Sequence, residues 1–174
     1  MSVQTKTKFK PLKTIEIEVA IARWFNIRQN IIVPNISWGL SGLHECDLFV
    51  VKRSGVAVEI EIKISKADLL KDFEKKHNHV DIQHRITEFY YAFPVNIYER
   101  VKHLIPENAG VIVCERYLNY NKTEKISVSI IKKATKIKGS RKLTVEEQFK
   151  VARLGTMRIW TLKERVIKLS NKNL

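Results

Sequence analysis

The stretch VAVEIEIKI, residues 56–64, decides how this chain is read. Its alternation is strict. Val56, Val58, Ile60, Ile62 and Ile64 fall on one face of a strand, and Ala57, Glu59, Glu61 and Lys63 on the other. Just upstream, ECDLFVVK (residues 45–52) is a second apolar, β-rich run, and it carries Asp47. Arg53-Ser54-Gly55 joins the two as a three-residue hairpin loop, with glycine where a left-handed backbone is wanted. That loop pairs Lys52 with Val56, and the same register sets Asp47 opposite Glu61. The two carboxylates then share a face, about 5 Å apart. A loop one residue shorter or longer would send them to opposite faces.

Like charges directly opposite one another destabilise a sheet. A divalent cation offsets that well, because Mg²⁺ takes oxygen ligands and is usually held by one or two carboxylates together with phosphates and water. Lys63 lies on the same face, placed for a phosphate or a water. The plainer reading is that Glu61 and Lys63 belong to a solvated face, as in many antiparallel sheets. Three features favour the pocket. Glu16 and Glu18 stand near the start of the first helix, the segment after Lys63 is basic, and the whole chain is cationic.

Lys and Arg number 32 against 18 Asp and Glu, a net charge of +14 over 174 residues. Such a field attracts polyanions, meaning nucleic acid or an anionic membrane surface. The 44% apolar share suffices for one domain with a core. No run of 18 apolar residues suggests a membrane span. The start, MSVQTKTKFKPLK, lacks the apolar centre of a signal peptide. A cytoplasmic protein, bacterial or phage-encoded, is the expectation. Cys46 and Cys114 read as reduced, buried thiols. His77, His79 and His84 cluster without a cysteine pair, so a zinc site has no support.

The remaining elements follow from period and punctuation. Thr14 caps a helix over Ile15 to Asn30, with Ile17, Ala20, Ile21, Trp24 and Phe25 at helical spacing. Pro34 and Asn35 break the chain before a short strand from Ile36 to Leu40. Ser65 caps a helix with apolar Leu69, Leu70 and Phe73 and basic Lys66, Lys71, Lys75 and Lys76, and Asp68 echoes a capping box. EFYYAFPV, AGVIVCERY and SVSII (Ser127 to Ile131) supply further strands. KKATKIKGSRK (residues 132–142) holds six basic residues and reads as a linker, a flexible loop or a phosphate-binding arm. Thr144 and Glu147 form a capping box for a long final helix with a break near Gly155.

Helix, strand, Asp47 strand, Glu61-Ile62-Lys63 strand, helix, strand resembles the core of the PD-(D/E)XK, or restriction-endonuclease-like, nuclease superfamily. Within it the text from HECDLFVV through AGVIVCERY looks most like the MmcB-like DNA repair proteins. The match runs from about Thr14 to Tyr117, and Cys46 stands where the superfamily name has proline.

The resemblance implies an α/β fold with a restriction-endonuclease-like core (αβββαβ), a mixed central sheet flanked by helices, and a C-terminal helix. The domains would be a nuclease-like core over 1–131, a basic linker over 132–143 and a helical appendage over 144–174. Asp47, Glu61 and the backbone carbonyl of Ile62 would hold Mg²⁺, with Mn²⁺ as a substitute. Lys63 would position or activate water and stabilise charge growing on the phosphate. Glu18, better offset from Ile21 and Phe25 than Glu16, would be the helix carboxylate near the metal, though both also suit the first turn as acids favoured by the helix dipole. Glu59 is either a further pocket acid or a solvated strand residue. One of Tyr90 and Tyr91 would face the site and the other the core. Lys66, Lys71, Lys75, Lys76 and Arg85 are the candidates for phosphate contact. The activity implied is Mg²⁺-dependent hydrolysis of DNA phosphodiesters in repair, recombination or phage DNA metabolism. The alternative is a non-catalytic nucleic-acid-binding protein on the same fold. Enzymes that cut both strands are often dimers, which favours a homodimer.

Overall fold

The computed structural model describes residues 9–36, 45–74 and 84–172. Its elements are α1 (Thr14–Trp24), β1 (Ile31–Ile36), β2 (Cys46–Val51), β3 (Ala57–Ile62), α2 (Lys66–Glu74), β4 (Ile86–Pro94), α3 (Val95–Val101), a 3-10 turn (Lys102–Leu104), β5 (Gly110–Leu118), β6 (Glu124–Lys132) and α4 (Val145–Lys172). The six strands form one sheet in chain order. β3, β4 and β5 run parallel to their neighbours in that trio, and the outer pairings are antiparallel. The chain is therefore α/β, with a six-stranded mixed sheet flanked by helices and a C-terminal helix.

The β2–β3 hairpin sets the frame. Gly55 sits at φ +82, and its N–H donates to the Lys52 carbonyl at 2.8 Å. The loop is the three-residue one, and Leu48 pairs with Ile60 and Phe49 with Glu59. On one face, Val58, Ile60 and Ile62 pack with Ile17, Ile21 and Phe25 of the α1 layer. The other face is covered twice over. Phe49, Val51 and Ala57 pack with Val151 of α4, while Tyr91 and Phe93 pack with Leu69 of α2 and Val101 of α3. β3 is buried along its whole length, so its charged face is not a wet one.

Several boundaries differ from the sequence reading, each for a local reason. α1 ends at Trp24 because Asn26 takes a left-handed φ of +58. Its start is held by Glu16, which accepts the Lys13 N–H at 2.9 Å, so Thr14 is the first helical residue and not the cap. Pro34 and Asn35 lie inside β1 instead of breaking the chain, as an edge strand allows; residues 37–40 lie outside the described residues. α3 went unforeseen behind Pro94, a residue well suited to precede a helix.

α4 runs through Gly155 without a break, because a Cβ there would meet Val33 Cγ2 at 3.2 Å and the glycine lets helix and strand approach. The Thr144–Glu147 capping box forms as expected, at 2.8 and 3.2 Å. The basic 132–143 segment is tied to the core by backbone hydrogen bonds to Asn108, Thr87, His84 and Gly55, and Leu143 is buried.

Gly110 opens β5 with no room for a side chain: a Cβ would stand 2.3 Å from the Tyr90 ring and 2.7 Å from the Ala134 nitrogen. Gly110→Ala is expected to destabilise the fold by about 1–3 kcal/mol through overpacking. Urea unfolding followed by circular dichroism measures it, and an unchanged midpoint would contradict the tight packing.

Candidate functional site

The hairpin register, continued one pair beyond Leu48–Ile60, sets Asp47 opposite Glu61. Asp47 then makes a bond that an aliphatic residue could not: its Oδ2 accepts the Ile62 N–H at 2.8 Å. The Lys63 N–H donates to the Ala92 carbonyl of β4 at 2.9 Å, which anchors the end of the strand. From there the Lys63 ammonium donates to Glu61 Oε2 and to Asp72 Oδ1, both at 2.8 Å. The Tyr91 hydroxyl donates to the other Asp72 oxygen at 2.9 Å. Glu61, Lys63 and Asp72 are 5%, 4% and 5% exposed. Four side chains from β3, α2 and β4 thus form one buried polar chain.

Asp47, Glu61, Ile62 and Lys63 line a polar cavity of about 320 Å³, with Thr14, Glu45 and Asp68 at its walls. A larger, mostly apolar groove of about 720 Å³ lies between α1 and β6 and holds none of these residues.

Burial pushes the Glu61 carboxyl above its ordinary range against the pull of Lys63, and Asp47 raises it further. Burial likewise raises Asp47, opposed by its bond from Ile62 and by Lys63. Glu18 is raised by burial and by the charge of Asp47, which brings it within the field of the same site. Burial alone would lower the Lys63 ammonium, but Glu61 and Asp72 overcome it and push it up to about 12. Lys63 is therefore a fixed cation at neutral pH. It can donate hydrogen bonds, but it cannot accept a proton from water.

The other expected residues divide. Glu16 is turned away: it bonds Lys13 and pairs with Arg116 at 2.8 Å, beside the apolar groove. Glu59 is fully buried, which overturns the solvated reading. Tyr91 stands on the site face, and Tyr90 packs in the α1-side core. Lys66 and Lys71 are exposed on α2. Arg85 is 1% exposed and its charge helps lower Glu147, so the expected surface phosphate contact is corrected to a buried group beneath α4. Lys75 and Lys76, with His77 and His79, lie outside the described residues.

Asp72 was missed. Its sign in the sequence is its position, three residues after Leu69, where a carboxylate shares the helix face that turns to the core. A buried lysine needs such a partner.

No family model and no curated protein matches the chain. A solved structure, the SPO1766 protein of unknown function from Silicibacter pomeroyi, is similar with a TM-score of 0.57 at 15% identity, over 95% of this chain and 94% of that one. At that identity the likeness speaks to the fold alone.

Two outcomes follow from this wiring. Asp72→Asn keeps the shape but weakens one side of the buried bridge, and a loss of about 1–3 kcal/mol is expected in urea unfolding; a change under 0.3 kcal/mol, roughly the scatter of additive distant sites, would mean that the bridge contributes nothing. The raised Glu18 carboxyl binds its proton more tightly in the folded chain than in the unfolded one, so its charge costs stability above that range and the cost disappears as pH falls. Glu18→Gln is expected to be more stable than wild type at neutral pH, by up to about 1 kcal/mol, with the gap closing in acid. Thermal melts across pH read both features, and a gap independent of pH would refute the coupling.

Proposed function

We propose that this chain is a metal-dependent nuclease that hydrolyses DNA phosphodiesters, built on a restriction-endonuclease-like core. The observation that carries the reading is the convergence of Asp47, Glu61, the Ile62 backbone and the fixed Lys63 cation on one polar cavity. The αβββαβ order of the first six elements and the +14 charge support it.

The donor set suits Mg²⁺. Among the described residues no group of three or more His, Cys, Asp or Glu side chains is gathered to hold a metal. Mg²⁺ needs no such cage, since it keeps several waters and commonly binds one or two carboxylates. Asp47 and Glu61 each give one oxygen to a protein donor, Ile62 N–H and Lys63 Nζ, which leaves the other oxygen of each for a cation among the described residues. Both carboxyls are raised chiefly by burial, and for Glu61 the neighbouring Asp47 adds to the rise, a like-charge cost that a bound cation would relieve. Bound there, Mg²⁺ would supply Lewis-acid polarisation of the phosphate and a more acidic water.

The chain's own residues do the positioning. Asp47 and Glu61 would hold the cation in the polar cavity. Lys63 has three N–H donors and spends two on Glu61 and Asp72. Its third is available to orient a water or to stabilise charge gathering on a phosphate oxygen in the transition state. Glu18 adds negative field from α1. Exposed Lys66 and Lys71 on α2, which begins three residues after Lys63, would meet the backbone of the substrate.

Cleavage of a mixed panel of labelled DNAs (single-stranded, duplex, flapped and branched) with Mg²⁺, Mn²⁺ or EDTA tests this. Metal-dependent cutting is expected in wild type and a loss of about 10²-fold or more in Asp47→Ala and in Lys63→Ala. Binding without cutting in wild type, or cutting that survives both substitutions, would refute the catalytic reading.

A further inference from the structure

The C-terminal half of α4 carries apolar residues that the sheet does not cover. Val151 is fully buried against the cluster of β1 and β2, and Gly155 abuts Val33. Arg158 donates to the Asn35 carbonyl, the last hydrogen bond from α4 to the edge strand among the described residues. Beyond it, Ile159, Leu162, Val166 and Leu169 are 54%, 55%, 61% and 62% exposed. Leu162 lies eleven residues after Val151, Val166 eleven after Gly155, and Leu169 eighteen after Val151. At about 3.6 residues per turn these are whole numbers of turns. The face that docks on the sheet therefore runs on past it, exposed, over about 15 Å of helix from Ile159 to Leu169.

Its spacing is 3-4-3, the seam of a coiled coil, with Ile159 and Val166 at one position and Leu162 and Leu169 at the other. Of the positions that flank such a seam, Arg158, Lys163, Arg165 and Lys172 are basic and Ser170 is uncharged.

A second copy of this chain is a poor occupant. In a parallel pair each seam faces the side on which its own sheet lies, so the two sheets would claim the same space. In an antiparallel pair, with Ile159 against Leu169 and Leu162 against Val166, Lys163 meets Lys163 and Arg165 meets Arg165, like charges at the centre of the contact. We infer that the seam receives an amphipathic helix of a partner protein with acidic flanks, apolar residues at 3-4 spacing against Leu162 and Val166, and carboxylates beside Lys163 and Arg165. This surface is independent of the polar cavity and of the chemistry proposed there.

The test uses the full chain and two fluorescent three-heptad peptides with leucine at the seam positions, one with glutamate and one with lysine at the flanks. The acidic peptide is expected to bind, to bind at least about tenfold more weakly at 0.5 M salt than at low salt, and to lose at least about tenfold in affinity when Leu162 and Val166 are both replaced by glutamate. Because those side chains are exposed, thermal melting of the double variant should match wild type. Four results would overturn the inference: no binding of either peptide, equal binding of both, a wild-type dimer in sedimentation that the double variant abolishes, or binding to phosphatidylserine vesicles with none to the acidic peptide.

Discussion

A lysine in the interior of this protein organises everything around it. The Lys63 ammonium is almost wholly withdrawn from water and holds Glu61 and Asp72 at 2.8 Å each. Removing such a cation from water costs several kcal/mol, and two carboxylates in good geometry are what offset it. One of those carboxylates comes from the next position on its own strand face, and the other from α2. The demand of the buried charge thus ties the helix to the sheet, and Tyr91 completes the tie from β4. The same arrangement leaves Asp47 and Glu61 side by side without full neutralisation, with Lys63 unable to shed its proton. A structural requirement and a chemical capacity come from one cluster.

Much of this was legible in the sequence, because the deciding signals were local. The glycine at position 55 selected a three-residue loop, the loop selected the register, and the register placed Asp47 beside Glu61. Strict alternation assigned the side chains of residues 56–62 their faces, while Ile64, expected on the apolar face, lies beyond the end of β3 and is exposed, and the Thr144–Glu147 box marked the start of α4. What was not legible depended on partners far away in the chain. The charged face of β3 looks amphipathic when read alone, and only the covering by α2, α3 and α4 makes it buried. Asp72 looks like one more charge on a charged helix until Lys63 is seen across from it. Arg85 reads as a surface cation beside a basic run, yet it lies under the 136–144 segment, a packing that its neighbours in sequence do not announce.

The basic character of the chain has two settings. Near the cavity, the exposed Lys66 and Lys71 of α2 follow closely on Lys63 and set positive charge beside a local cluster of carboxylates, the combination the proposed function calls on. Along the far half of α4, positive charge borders an apolar seam, which suits a structured acidic partner better than a phosphate chain. The two surfaces rest on different elements and make different physical demands on what binds them.

The central claim is that Asp47 and Glu61 form a cation site on the sheet face beside Lys63. Calorimetric titration of Mn²⁺ into the full chain, in the absence of nucleic acid, addresses it most directly. Saturable binding that disappears in Asp47→Asn and in Glu61→Gln, with both variants still folded, is the result the account predicts. Undiminished binding in both folded variants, or none in wild type, would contradict it.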